Sequence, residues 1–237
     1  MTTRPRTTPG RAPRPIGRAL ALLGAGALLL TGCSGLTPGT AAVVEGTRIT
    51  TSSVDRLAAA QCDAIEQAAK AGQAQAVPLA RIKQQSLQLL LDIEVDEGFA
   101  EDEGIRPPRS LVSYIDEQLQ SQVQGLKGRA GEVLGETLQR YAASRAAVVQ
   151  AGAEATGQEA TPDNLDQLVG AGLERRDAWF KKADVDTDSR YSPDADGTPG
   201  GGSGSVSTAA SDFAEQGSSE QPDPAYVASL PASQKCG

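Results

Sequence analysis

The chain has 237 residues, 39% of them apolar and 22% charged, with 30 Asp and Glu against 22 Lys and Arg and no histidine. That length suffices for one domain with a substantial core. The acidic balance is the opposite of the basic footprint that nucleic-acid binding needs. Without an imidazole, Ser-His-Asp, Cys-His and His-metal chemistries fall away together. The composition points to an acidic, helix-rich, non-catalytic chain for which no cofactor, metal or nucleic acid is expected.

The first elements are signals rather than structure. Met1 to Arg18 is polar and basic, with Arg4, Arg6, Arg11, Arg14 and Arg18, and Ala19 to Leu30 contains only Ala, Leu and Gly. That run is too short to cross about 30 Å of hydrocarbon, but it fits the apolar centre of a secretory signal peptide. Leu30-Thr31-Gly32-Cys33 follows, then Ser34-Gly35. Small residues before a cysteine at this position resemble the bacterial lipobox. The resemblance implies cleavage after Gly32, acyl chains on Cys33 and anchoring to the outer face of the cell membrane. Residues 1–32 are therefore predicted to be leader, and residues 33–40 a small-residue tether. Losing the leader leaves 17 bases against 30 acids, a net charge of −13.

Ala41 to Thr50 (AAVVEGTRIT) predicts a small hairpin around Gly46. Ser52-Ser53-Val54-Asp55 reads as a capping box, with Asp55 reaching back. The helix that follows, to about Ala71, turns Val54, Leu57, Ala58, Ile65 and Ala68 inward. Pro78 suits the first turn of the next helix, Leu79 to about Glu103, whose stripe Ile82, Leu89, Leu90 and Ile93 is widened by Leu87, Leu91 and Val95. A stripe that wide predicts a central helix, with Gly104 ending it. Helices are also predicted over Ser110 to about Gln124 and Glu132 to Ala155. The first carries Leu111, Ile115, Leu119 and Val123 in one stripe, with Tyr114 beside it. The second faces Leu134, Leu138, Tyr141, Ala142 and Val149 inward. Gly125 to Gly131 reads as a loop, and Thr161-Pro162 as the opening of a last helix running to about Lys182.

Beyond Lys182 the pattern changes. Asp184 to Tyr191 and Ser203 to Phe213 predict strands around a Pro, Asp and Gly loop. Residues 41–213 are thus predicted to form one helical domain with C-terminal strands, and residues 214–237 a tail poor in core-forming side chains. Asp184, Asp186 and Asp188 lack the Gly and Glu of an EF-hand loop and read as an exposed strand. Glu94, Asp96, Glu97, Glu101, Asp102 and Glu103 read as solvated helix faces.

Cys62 and Cys236 are the only cysteines besides Cys33. An exported compartment permits a disulfide. A bridge is preferred to two free thiols, because an unpaired thiol near the C-terminus is a liability outside the cell. It closes a loop of about 175 residues and brings the tail back to the first helix.

The order of elements carries a family resemblance. A lipobox, a tether, Ala-x-Val-x-Gly-x-x-Ile-Thr, a capped helix, and a leucine-rich helix ending LLLDIEVDEGFAEDEGI resemble the N-terminal domain of SurA-type and PrsA-type extracytoplasmic chaperones. Glu45 replaces that family's usual Asn, and Phe99-Ala100-Glu101 its usual Glu-Ala. The later ADVDTDSRY resembles the strand that closes such domains, with Ser189 in place of Pro. The resemblance implies a mostly α, SurA N-terminal-like fold, with a small β-element formed by the N-terminal hairpin and returning C-terminal strands. It also implies binding of unfolded or exported polypeptides. The family's isomerase module has no room between Leu126 and Lys182, and no histidine. The alternative is a structural lipoprotein holding one dedicated envelope partner.

Overall fold

Val43 and Val44 on one side of a Glu-Gly pair, and Arg48 and Ile49 on the other, set the local rule for the first element. In the computed structural model, which describes residues 36–188, 190–191, 211, 216 and 222–237, β1 (Thr40–Val44) and β2 (Thr47–Thr50) form that hairpin. Glu45 and Gly46 both hold positive φ, at 46° and 80°, as a two-residue turn twisted like its strands requires. The predicted leader, Cys33, the start of the tether, the loop after Tyr191 and nearly all of the Ser203 to Phe213 strand lie outside the described residues.

The strand predicted after Lys182 returns as β4 (Val185–Thr187) and pairs antiparallel with β1, Ala42 opposite Thr187 and Val44 opposite Val185. The sheet order is β2-β1-β4. Glu45 fastens this return from the turn itself. Its amide donates to the Asp184 carbonyl at 2.8 Å, and its Oε1 accepts the Asp184 amide at 2.7 Å. Two hydrogen bonds thus offset a backbone conformation that a non-glycine residue adopts at a cost.

Helix α1 (Thr51–Lys70) begins directly after β2, so its cap differs from the one predicted. Thr50 is the N-cap: its Oγ1 accepts the Ser53 amide at 3.0 Å, and its own amide donates to Ser53 Oγ at 3.2 Å. Ser52 falls inside the first turn, and Asp55 instead pairs with Lys83 at 2.8 Å. Helix α2 (Leu79–Asp102) packs against α1, the sheet and two later helices. Leu87, Leu91 and Val95 pack with Ala42, Val44 and Val54 in the main cluster, while Leu89 and Leu90 are half-buried. The residues expected to widen the stripe form its centre. Pro78 precedes the helix as its N-cap and lies in β3 (Val77–Pro78).

Helix α3 (Arg109–Gln120) ends in a 3-10 turn, Ser121–Val123. Helix α4 runs Gly128–Thr156, four residues ahead of its predicted start. Gly131 belongs to its first turn, where a Cβ would sit 2.8 Å from the Leu126 carbonyl oxygen; that glycine marks close approach rather than a loop. Helix α5 (Leu165–Phe180) starts later than Thr161-Pro162 suggested. Asn164 Oδ1 accepts from the Thr161 amide at 2.8 Å and its hydroxyl at 3.1 Å, which folds those residues into a turn.

The tail is built in more firmly than its composition suggested. α6 (Pro224–Ser229) is capped by Asp223, and Val227 and Leu230 are buried. β5 (Lys235–Cys236) then pairs with β3, Cys236 opposite Val77. The architecture is mostly helical with a small antiparallel sheet, as the sequence predicts.

Candidate functional site

The sequence nominated three cysteines. Cys33 lies outside the described residues. Cys62 and Cys236 are joined in a disulfide with Cα atoms 4.9 Å apart, across a sequence separation of 174. Around it Ala58 and Ile82 are buried and Ile65, Val77 and Leu79 half-buried, so the bridge pins the tail into an apolar niche between α1 and α2.

The buried ionic centre of the helical body was misread in sequence. Asp96, on a helix face that the sequence reads as solvated, is fully buried. It faces the side where α2 meets α4 and α5. Arg145 Nη1 of α4 donates to its Oδ2 at 3.3 Å, and Arg176 Nε of α5 lies 2.6 Å from Oδ1. The second contact is an ion pair without hydrogen-bond alignment, leaving Oδ1 and Nε otherwise unsatisfied. Arg176 also reaches Asp92 at 3.3 Å, and the Arg145 guanidinium lies over the Tyr141 ring. Burial pushes the Asp96 carboxyl up to about 6 against the opposing pull of Arg176 and Arg145, with Asp92 adding to the rise. Burial likewise raises Tyr141. Three of the acids expected on solvated faces form ion pairs nearer the surface, Arg140 bridging Glu94 and Glu97, and Arg175 joining Glu103 to Glu154. Asp102 accepts the Trp179 indole N–H at 2.9 Å.

The centre holds three helices together. A concave surface lies elsewhere, at the end of the bundle. There the start of α3, the end of α4 and the loop into α5 enclose a cleft of about 560 Å³. Leu111, Ala153 and Leu165 give it apolar surface, Tyr114 a phenol, and Glu154 and Glu159 carboxylates. α3 delivers Leu111 and Tyr114 one turn apart, and α4 ends here because Gly157 takes φ 67° as its C-cap. The sequence places Leu111 in a core stripe and Tyr114 beside it. Glu154 and Glu159 carried no sequence signal, because their pairing depends on how α4 terminates. In the Asp-rich strand Asp188 takes Arg190 at 2.7 Å, and Asp184 is engaged through its backbone by Glu45.

Among the described residues no helix is long and apolar enough to cross a membrane. No family model matches the sequence, and no curated protein or solved structure is significantly similar to it.

Proposed function

We propose that the chain is a lipid-anchored extracytoplasmic protein that binds unfolded or exported polypeptides, chaperone-like, without isomerase activity. The observation that carries this reading is the return of β4 onto β1. A hairpin, a helical body and a closing strand on the hairpin's free side are what the resemblance to the SurA-type and PrsA-type N-terminal domain implies. The Leu-Thr-Gly-Cys33 signal and the small-residue tether support anchoring at the membrane surface. The cleft supplies a concave, partly apolar surface, and the acidic mature chain would keep a bound client in solution.

The test is suppression of aggregation when a chemically unfolded exported protein is diluted into an equimolar amount of this chain. Light scattering should fall and stay low. Undiminished scattering beside a folded sample removes the reading. The second reading is a scaffold for one dedicated envelope partner. That reading expects one stable complex from envelope extract and no suppression.

A further inference from the structure

We propose that the cleft between α3, α4 and the loop into α5 takes a short extended polypeptide segment in which lysine or arginine flanks an apolar side chain. The inference rests on the polypeptide-binding reading above and names the chemistry of its client.

Three observations agree on it. No lysine or arginine lines the cleft, although Arg109 lies between two lining residues in sequence, while Glu154 and Glu159 both do. The Glu159 carboxylate has no hydrogen bond or ion pair among the described residues. Glu154 is held only loosely, by Gln150 at 3.2 Å and by Arg175 at 3.4 Å, whereas Arg175 lies closer to Glu103, at 3.0 Å. A cation there meets the unpaired Glu159 carboxylate beside the ion-paired Glu154.

The apolar part is set by Leu111, Ala153 and Leu165, which give a flanking aliphatic side chain a place out of water. The Tyr114 hydroxyl, without a hydrogen-bond partner among the described residues, is a donor for the backbone of a bound segment. The chain's own residues 192–221 have the wrong charge to fill the cleft. They contain Asp194, Asp196, Asp212, Glu215 and Glu220 and no base.

The test places the full chain in nanodiscs of neutral lipid and titrates fluorescent peptides against it, with empty nanodiscs subtracted. One peptide has lysines flanking a leucine pair, a second glutamates in place of the lysines, and a third serines in place of the leucines. The lysine–leucine peptide should bind roughly tenfold more tightly than either counterpart. The double variant E154Q/E159Q, checked by circular dichroism for an unchanged melt, should lose most of that preference. Equal binding of the lysine and glutamate peptides, equal binding of the serine peptide, or a folded double variant with its preference intact overturns the assignment. Aggregation suppression without lysine preference removes this inference and leaves the broader reading standing. Lysine preference without suppression does the reverse.

Discussion

Gly152 of α4 and Gly172 of α5 face each other where the two helices cross with no space for a side chain on either. A Cβ on Gly152 would run into the carbonyl oxygen of Leu168, and one on Gly172 into that of Val148. The obstruction is backbone on both sides, so no rotamer change relieves it. Gly152→Ala and Gly172→Ala should each lower stability by about 2 kcal/mol or more, despite the gain in helix propensity. Gly170, in the same helix with nothing near its Cβ position, is the control. Gly170→Ala should raise stability by roughly 0.5–1 kcal/mol. Urea unfolding followed by circular dichroism checks all three, and a neutral Gly152→Ala contradicts the close crossing.

The centre around Asp96 predicts a pH dependence of definite sign. Its carboxyl titrates near 6 in the folded chain against an ordinary value of 3.8, so between those pH values the native state holds more of the proton than the unfolded chain does. The contribution to stability is fully present below about pH 4 and is lost as pH rises through 6. Asp96→Asn abolishes it. Subtracting the variant's curve from the wild type's should show the wild type gaining on the order of 1–3 kcal/mol between pH 7 and 4.5. Subtraction also cancels Asp188, which the Arg190 hydrogen bond holds below its ordinary value and which acts in the opposite sense. A difference that moves the other way means that the two arginines outweigh burial.

Breaking the Cys62–Cys236 bridge removes a constraint on a very long loop. The chain-entropy relation assigns such a loop roughly 5 kcal/mol, and removal of native disulfides usually costs about 2–5. C62S/C236S should lie in that range by urea unfolding. Hydrogen exchange should accelerate in residues 222–237 and at Val77, whose strand partner is Cys236, while β1 keeps its protection. Equal acceleration in both sheets shows that the bridge stabilises the fold as a whole rather than the tail.

Trp179 is the only tryptophan, and it reports on the junction of α5 with α2. Its ring edge lies 3.2 Å from the Cβ position of Gly98, its centroid 6.2 Å from that of Phe99, and its N–H on Asp102. Trp179 is half-buried, and Trp179→Ala should cost about 2–3 kcal/mol, below the range for a fully buried ring. In the wild type, the tryptophan fluorescence transition should coincide with the loss of helical signal. An earlier fluorescence transition shows α5 leaving first.

Much of this architecture was legible because strong signals mark it. The wide apolar stripe of α2 announces a buried helix by size and spacing, although its centre falls on Leu87, Leu91 and Val95 rather than on Leu89 and Leu90, and Glu45-Gly46 between valines and Arg48-Ile49 announces a hairpin. Helix α4 is harder to read. Its buried stretch is Ala146, Ala147, Val148, Val149, Ala151, Gly152 and Ala153, small residues that pack closely yet carry little hydrophobic contrast. Leu134 and Leu138, which looked like its core, are only half-buried. Asp96 was misread for a related reason. Its partners stand 49 and 80 positions away, at Arg145 and Arg176, and no local pattern connects them. The cleft shared this limit, since its rim is made by the way one helix ends beside the start of another.

The position of β1 has a mechanical consequence. It starts at Thr40, ahead of every other strand and helix described, and it lies between β2 and β4 rather than at an edge. Tension applied through the preceding segment acts along β1, while its hydrogen bonds to both neighbours run across that direction. The load is shared by two ladders in shear, not taken bond by bond as in peeling an outer strand. A chain held by its N-terminal side is thus gripped at its most resistant strand, and drag on the body reaches α1 and α2 only after that strand slips.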